Sequence, residues 1–200
     1  MTNRIVLMAA SFFLLSGCVT GYTLVEPGPH AIDDMSVNAG SGWNLAPAYA
    51  GSRDRKNAQR WTRDGLLLDR LVFIPAIPDG EPLAVSRSKD AALPVFHKDM
   101  LPNELEELVE STIVKYFGEG QAAVSTSNLR PHRFGEDRGV LFDIDAIVTE
   151  SPTYKGVVGA FIASEQLYVM WYIAADPYYY DKHLSDAEAV IQSATLAAAN

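Results

Sequence analysis

Residues 167–173, Leu-Tyr-Val-Met-Trp-Tyr-Ile, are aliphatic or aromatic at every position. Successive side chains of a strand point to opposite faces, so a run like this one must be covered on both sides. It predicts a central strand and a sheet with layers packed on each face. Upstream, Phe142, Ile144, Ala146 and Val148 alternate with Leu141, Asp143, Asp145 and Ile147, the period of a strand over residues 140–150 with one wetter face. Further strands are expected at residues 122–127, 156–163 and 166–174. Gly156 and Gly159 mark close strand packing or a bulge.

Two helices interrupt this pattern. Pro102, Asn103 and Glu106 predict a helix capped at Asn103, with Glu106 completing a capping box. Leu105, Leu108, Val109, Ile113, Tyr116 and Phe117 then fall on one face at helical spacing, with Glu104, Glu106, Glu107 and Glu110 mainly elsewhere. Gly118 or Gly120 is expected to stop it. A second helix is expected to begin at Ser185, boxed by Glu188, with Val190, Ile191, Ala194, Leu196 and Ala197 as its apolar content.

Before the first helix, residues 59–83 predict a three-strand meander bent at Asp64-Gly65 and Asp79-Gly80. Its middle strand, residues 66–77, frays or reaches an edge at its end, because Pro75 and Pro78 cannot donate ladder hydrogen bonds. Segregated runs of strands and helices with short connections predict an α+β fold: an antiparallel sheet flanked by two main helices in a single domain.

The start of the chain carries an address. Arg4 and the apolar residues 5–15 have the form of a signal peptide, too short to span a bilayer as a stable helix. The stretch ends in Leu15-Ser16-Gly17-Cys18, which resembles the lipobox of bacterial lipoproteins; an ordinary secretory signal and a buried first strand are the other readings. The expected organisation is a signal peptide over residues 1–17, a tether and irregular lead-in over 18–57 beginning at a lipidated Cys18, and a globular α+β domain over 58–200. Pro27, Gly28, Pro29, Gly40, Gly42, Pro47 and Gly51 break up the lead-in, which has room for a short strand within residues 35–43. Cys18 is the only cysteine, so an internal disulfide is excluded and the thiol has no companions for a metal site. Anchoring falls to the lipid, since no later apolar run approaches the ~20 residues of a membrane span. Val19, where an Asp would retain an enteric lipoprotein, implies the outer membrane and a periplasm-facing body.

The formal net charge is −9, and removal of Arg4 with the signal peptide makes it more negative. Phosphate backbones and anionic headgroups repel such a chain, which disfavours nucleic-acid binding and a polybasic membrane patch. With 48% apolar and 20% charged residues, the composition is that of a folded domain.

Trp43-Asn44, Trp61-Thr62 with Asp64-Gly65, Leu68-Asp69, Asp79-Gly80, Leu93-Pro94 with Phe96, residues 100–109, Leu129-Arg130-Pro131 with Phe134-Gly135, and the Tyr-rich segment before the last helix together resemble a group of uncharacterised bacterial lipoproteins. The order of elements more distantly resembles the PsbP-like α/β/α sandwich, shared by a photosystem extrinsic protein and a Ran-binding import factor. That resemblance implies binding of other proteins in place of catalysis.

Residue chemistry names no reaction. His30, His97, His132 and His183 have no paired ligand spacing, no glycine pattern cradles phosphate, and no serine sits in a Gly-x-Ser-x-Gly elbow, although a triad assembled in space stays open. No cofactor or metal is expected. Arg53-Asp54-Arg55-Lys56 is expected as a solvated loop. Asp143 and Asp145 share one strand face and either sit in water or pair for acid–base work. Arg130, His132, Arg133, Glu136, Asp137 and Arg138 form an expected charged loop around Gly135 and Gly139, the first candidate for a partner site. Tyr168, Trp171, Tyr172, Tyr178, Tyr179 and Tyr180 either close the core or offer rings for stacking. Strand alternation would put Tyr178 and Tyr180 on one face and Tyr179 on the other.

The expected function is a membrane-anchored envelope lipoprotein with a non-catalytic binding role, its partner site at Arg130, Arg133, Tyr178, Tyr179 and Tyr180. The expected partner is an envelope protein or cell-wall material. The alternative is a hydrolase of envelope polymers, which requires a concave site where Asp143 or Asp145 meets a histidine or arginine.

Overall fold

The doubly apolar segment is the middle of the molecule. In the computed structural model, which describes residues 21–48, 53–86, 92–117 and 120–196, the strands are β1 (Thr23–Val25), β2 (Gly28–Ile32), β3 (Met35–Ala39), β4 (Trp43–Leu45), β5 (Gln59–Thr62), β6 (Asp69–Pro78), β7 (Ala122–Phe134), β8 (Asp137–Val148), β9 (Thr153–Ala163), β10 (Gln166–Ala175) and β11 (Thr195–Leu196). The helices are α1 (Pro102–Phe117) and α2 (Tyr178–Gln192). An eight-stranded sheet runs in the order β1-β4-β5-β6-β10-β9-β8-β7, and a smaller one in the order β11-β3-β2. Strand pairing is antiparallel throughout.

Alternation along β10 splits the core in two. Tyr168, Met170 and Tyr172 join the layer that holds Ala187, Val190 and Ile191 of α2 and Ile32, Met35 and Val37 of the small sheet. Leu167, Val169 and Ile173 join Leu105, Leu108 and Val109 of α1 on the other side. The result is a single-domain α/β/α sandwich, with the antiparallel sheet between its two main helices. Gly156 and Gly159 permit this closeness: a Cβ on Gly156 would lie 2.5 Å from the Tyr172 carbonyl oxygen, and one on Gly159 would lie 2.6 Å from Ile191 Cγ2.

Several boundaries differ from expectation. Residues 18–57, expected as a tether and irregular lead-in, contribute β1 to β4, and Val25 and Trp43 are buried there. The meander over 59–83 has two strands. Between Asp79-Gly80 and α1, the described residues form isolated bridges, Pro82 with Val95 and Asp54 with Ala84. β6 bulges where Leu167 faces Ile77 but Val169 faces Ile74, and Ala76 there has a φ of 49°. The two prolines lie past Phe73, beyond which β6 has no β5 neighbour.

Helix starts move as well. α1 begins at Pro102, whose missing N–H costs nothing at the first position. The Leu101 N–H donates to Glu104 at 2.6 Å, so the cap lies two residues before the expected Asn103. α2 begins at Tyr178 and runs through Ser185. Tyr180 stacks on Tyr172 at 6.2 Å and the Tyr172 hydroxyl donates to the Tyr179 carbonyl at 2.9 Å, so packing extends the helix a full seven residues before its sequence cap. The segment 53–56 is also held: Arg53 lies 3.5 Å over the Tyr116 ring, Asp54 pairs with Arg60, and Arg55 donates to the Pro82 carbonyl at 3.0 Å.

Candidate functional site

The expected charged loop is a hairpin. β7 and β8 stay paired up to Phe134 and Asp137, leaving only Gly135, with a φ of 62°, and Glu136 to turn the chain. Along β7, a bulge between Ser127 and Arg130, with Asn128 at a φ of 56°, shifts the alternation by one residue. Arg130 therefore faces α2, together with His132 and the buried Phe134, and Arg133 points to the opposite face of the sheet.

Arg130 is the junction. Its guanidinium donates to Asp143 at 3.0 Å and to Glu188 of α2 at 3.2 Å, and Asn128 donates to the second Asp143 oxygen at 2.9 Å. Asp143 is thus occupied by structural partners. Asp145, its neighbour on this face, is exposed and lies opposite Lys155 of β9. Asp143 therefore does meet an arginine, but that guanidinium is shared with Glu188 of α2 as a brace between strand and helix, and among the described residues no histidine joins these contacts.

The tyrosine run occupies the first turn of α2, so its side chains fan out at helical spacing, not in strand alternation. Tyr178 is 66% exposed and meets Tyr179 edge-on at 5.1 Å. Tyr180 packs inward on Tyr172. Burial, then the charges of Asp143 and Glu188, push its hydroxyl up to about 12. Tyr180 and Arg130 thus share the Asp143–Glu188 neighbourhood.

A second cluster on the same helix had no sequence signal. Asp64 accepts from Lys182 through both oxygens at 2.8 Å and lies 2.7 Å from His183 Nε2. The Lys182 hydrogen bond is the main cause that holds the Asp64 carboxyl below its ordinary range. Arg63 donates to Asp186 at 2.8 Å and lies 4.4 Å over the Trp43 ring. The turn that presents Asp64 is organised by the buried Asp69, which accepts the Arg63 and Asp64 N–H groups at 2.9 and 2.7 Å. These contacts pin the β5–β6 turn to α2.

The other histidines lie apart. His30 meets the Trp61 ring edge-on, His97 sits near Asp79, and His132 packs on Phe134. Among the described residues, no group of three or more His, Cys, Asp or Glu side chains could hold a metal ion. Cys18 lies outside the described residues.

The solution structure of cyanobacterial PsbP (CyanoP) from Synechocystis sp. PCC 6803 matches 91% of this chain and 98% of its own, with a TM-score of 0.56 at 13% identity. The fold is PsbP-like. The PsbP-like sheet places both clusters on its α2 side. A crystal structure of LpqN, involved in cell envelope biogenesis of Mycobacterium tuberculosis, covers 91% of this chain and 87% of that one at 13% identity, with a TM-score of 0.34. No protein-family model and no curated protein matches this chain.

Proposed function

We propose that this protein is a lipid-anchored lipoprotein of the bacterial envelope, held by Cys18 at the outer membrane and facing the periplasm, and that it acts by binding and not by catalysis. The lipobox-like Leu15-Ser16-Gly17-Cys18 and the following Val19 support the address. Among the described residues no helix is long and apolar enough to cross a membrane, so the reading assigns attachment to the lipid.

The observation that carries the binding role is the α2 surface. Exposed Tyr178 lies beside Tyr179, with the Lys182 ammonium 5.7 and 5.8 Å from their rings. Arg130 braces the same helix through Glu188. Aromatic and arginine side chains concentrate binding energy at interfaces. Tyr178, Tyr179 and Arg130 are the proposed contact residues, Tyr180 is their inward support, and Arg133 belongs to the other face. The partner class is an envelope protein or cell-wall material.

Two measurements test this. Metabolic labelling with palmitate is expected to mark the wild-type chain and not Cys18→Ser; equal labelling would refute the anchor. A photocrosslinker at position 178 is expected to capture an envelope component that a crosslinker at Glu107 of α1 does not. Loss of that product in Tyr179→Ala and Arg130→Ala, but not in Arg133→Ala, is the expected pattern. Identical capture from both helices would remove the α2 surface from consideration.

A further inference from the structure

A cavity of about 360 Å³ lies between the sheet and α1, on the face away from the α2 clusters. Its volume is within the range of small-molecule sites. Leu66, Val72, Ile74, Ile113 and Trp171 form much of its wall. Leu67, 79% exposed, marks its mouth.

Arg70 breaks this apolar lining. It lies on β6 opposite Ile173, so its side chain leaves the sheet on the α1 side and lines the cavity. One of its N–H groups donates to the Leu66 carbonyl at 3.1 Å. Among the described residues no carboxylate lies within salt-bridge distance of it. Asp54, also in the lining, is bonded to Arg60, which brings a second guanidinium to the same cavity. Burial and the Arg60 charge pull the Arg70 guanidinium below its ordinary range.

Arginine does not shed its proton in proteins. Arg70 is half-buried, with the Leu66 carbonyl and the Tyr154 ring, 5.7 Å away, as its partners; a guanidinium so placed on a largely apolar wall favours an anion beside it, and planar oxyanions match its donor fork. The walls call for an aliphatic partner. The geometry points to a binding site for a small amphiphile with a carboxylate head and an aliphatic tail, the head on Arg70 and the tail along Trp171 and Ile113. This site is independent of the α2 surface.

Trp171 is a built-in reporter, because Trp43 and Trp61 lie in the opposite core layer. The full chain in nanodiscs of zwitterionic lipid is titrated with decanoate, with decanol as tail without charge and acetate as charge without tail. Decanoate is expected to change Trp171 fluorescence saturably, with decanol and acetate weaker by about tenfold or more. Arg70→Met is expected to reduce decanoate to the level of decanol, and Arg70→Lys, which keeps the charge but not the fork, to fall between Arg70→Met and wild type. Ile113→Phe, which fills the cavity and keeps its charges, is expected to abolish the response and decides the matter even if Arg70→Met does not fold. Equal affinity for decanol, or undiminished binding by folded Arg70→Met or Ile113→Phe, overturns the site. A signal that persists in Trp171→Phe places the ligand elsewhere and overturns it too. A wild-type chain silent to all three probes also overturns it, and is what a cavity filled by another segment of this chain would give.

Discussion

His183 Nε2 lies 2.7 Å from an Asp64 carboxylate oxygen, across 119 residues of sequence. On its other side, His183 Nδ1 stands 3.2 Å from an Arg63 Nη1. Arginine can only donate, so Nδ1 accepts and Nε2 carries the hydrogen given to Asp64. The ring is 7% exposed and bridges the β5–β6 turn to α2.

Asp64 links this contact to acid stability. Its carboxyl is lowered in the folded chain from an ordinary value of 3.8, so its contribution is fully present above that value and is lost as pH falls through the lower, folded one. Asp64→Asn is expected to destabilise the protein at neutral pH by no more than about 1 kcal/mol, since the pair is screened by water. The gap from wild type should close in strong acid. Denaturant melts across pH check this, and a gap that widens in acid would contradict it.

The cap of α1 separates two neighbouring residues. Glu104→Ala removes the acceptor of the Leu101 N–H and is expected to cost about 0.5–2 kcal/mol. Asn103→Ala should be near neutral. Equilibrium unfolding of both variants tests the register, and a reversed order would move the helix start back to Asn103.

Gly156 tests the closeness of β9 and β10. Its added Cβ would meet the Tyr172 carbonyl, a backbone atom that moves only with its strand. Gly156→Ala is expected to cost about 1–3 kcal/mol, the usual penalty of overpacking. A melting temperature equal to wild type would show that the strands can separate without loss.

Alkali should unfold the protein through its tyrosines. Burial raises the Tyr168 and Tyr172 hydroxyls, and Tyr180 to about 12, from an ordinary 10.0. A group raised on folding contributes stability fully present below its unfolded value and lost as pH rises through the folded one. Stability is therefore expected to fall from pH 10.0 upward. Tyr180→Phe should reduce that slope, measured by chemical denaturation at increasing pH.

Where local period decides structure, the sequence alone was sufficient. The doubly apolar residues 167–173 identified β10 as central, alternation marked Phe142, Ile144 and Ala146 as buried, and helical spacing picked out Leu105, Leu108 and Val109. Each of these signals lies within a few residues and reports which side of an element meets the core. Asp64-Gly65 likewise marked a turn. Only the tertiary structure decided what that turn touches, because no local pattern encodes a contact between Asp64 and His183. The same holds for Arg130, whose face depends on the bulge at Asn128, and for α2, where stacking of Tyr180 on Tyr172 outweighed the capping box at Ser185. Local propensities amount to a few tenths of a kcal/mol to about 1 kcal/mol, and burial of an aromatic ring exceeds them.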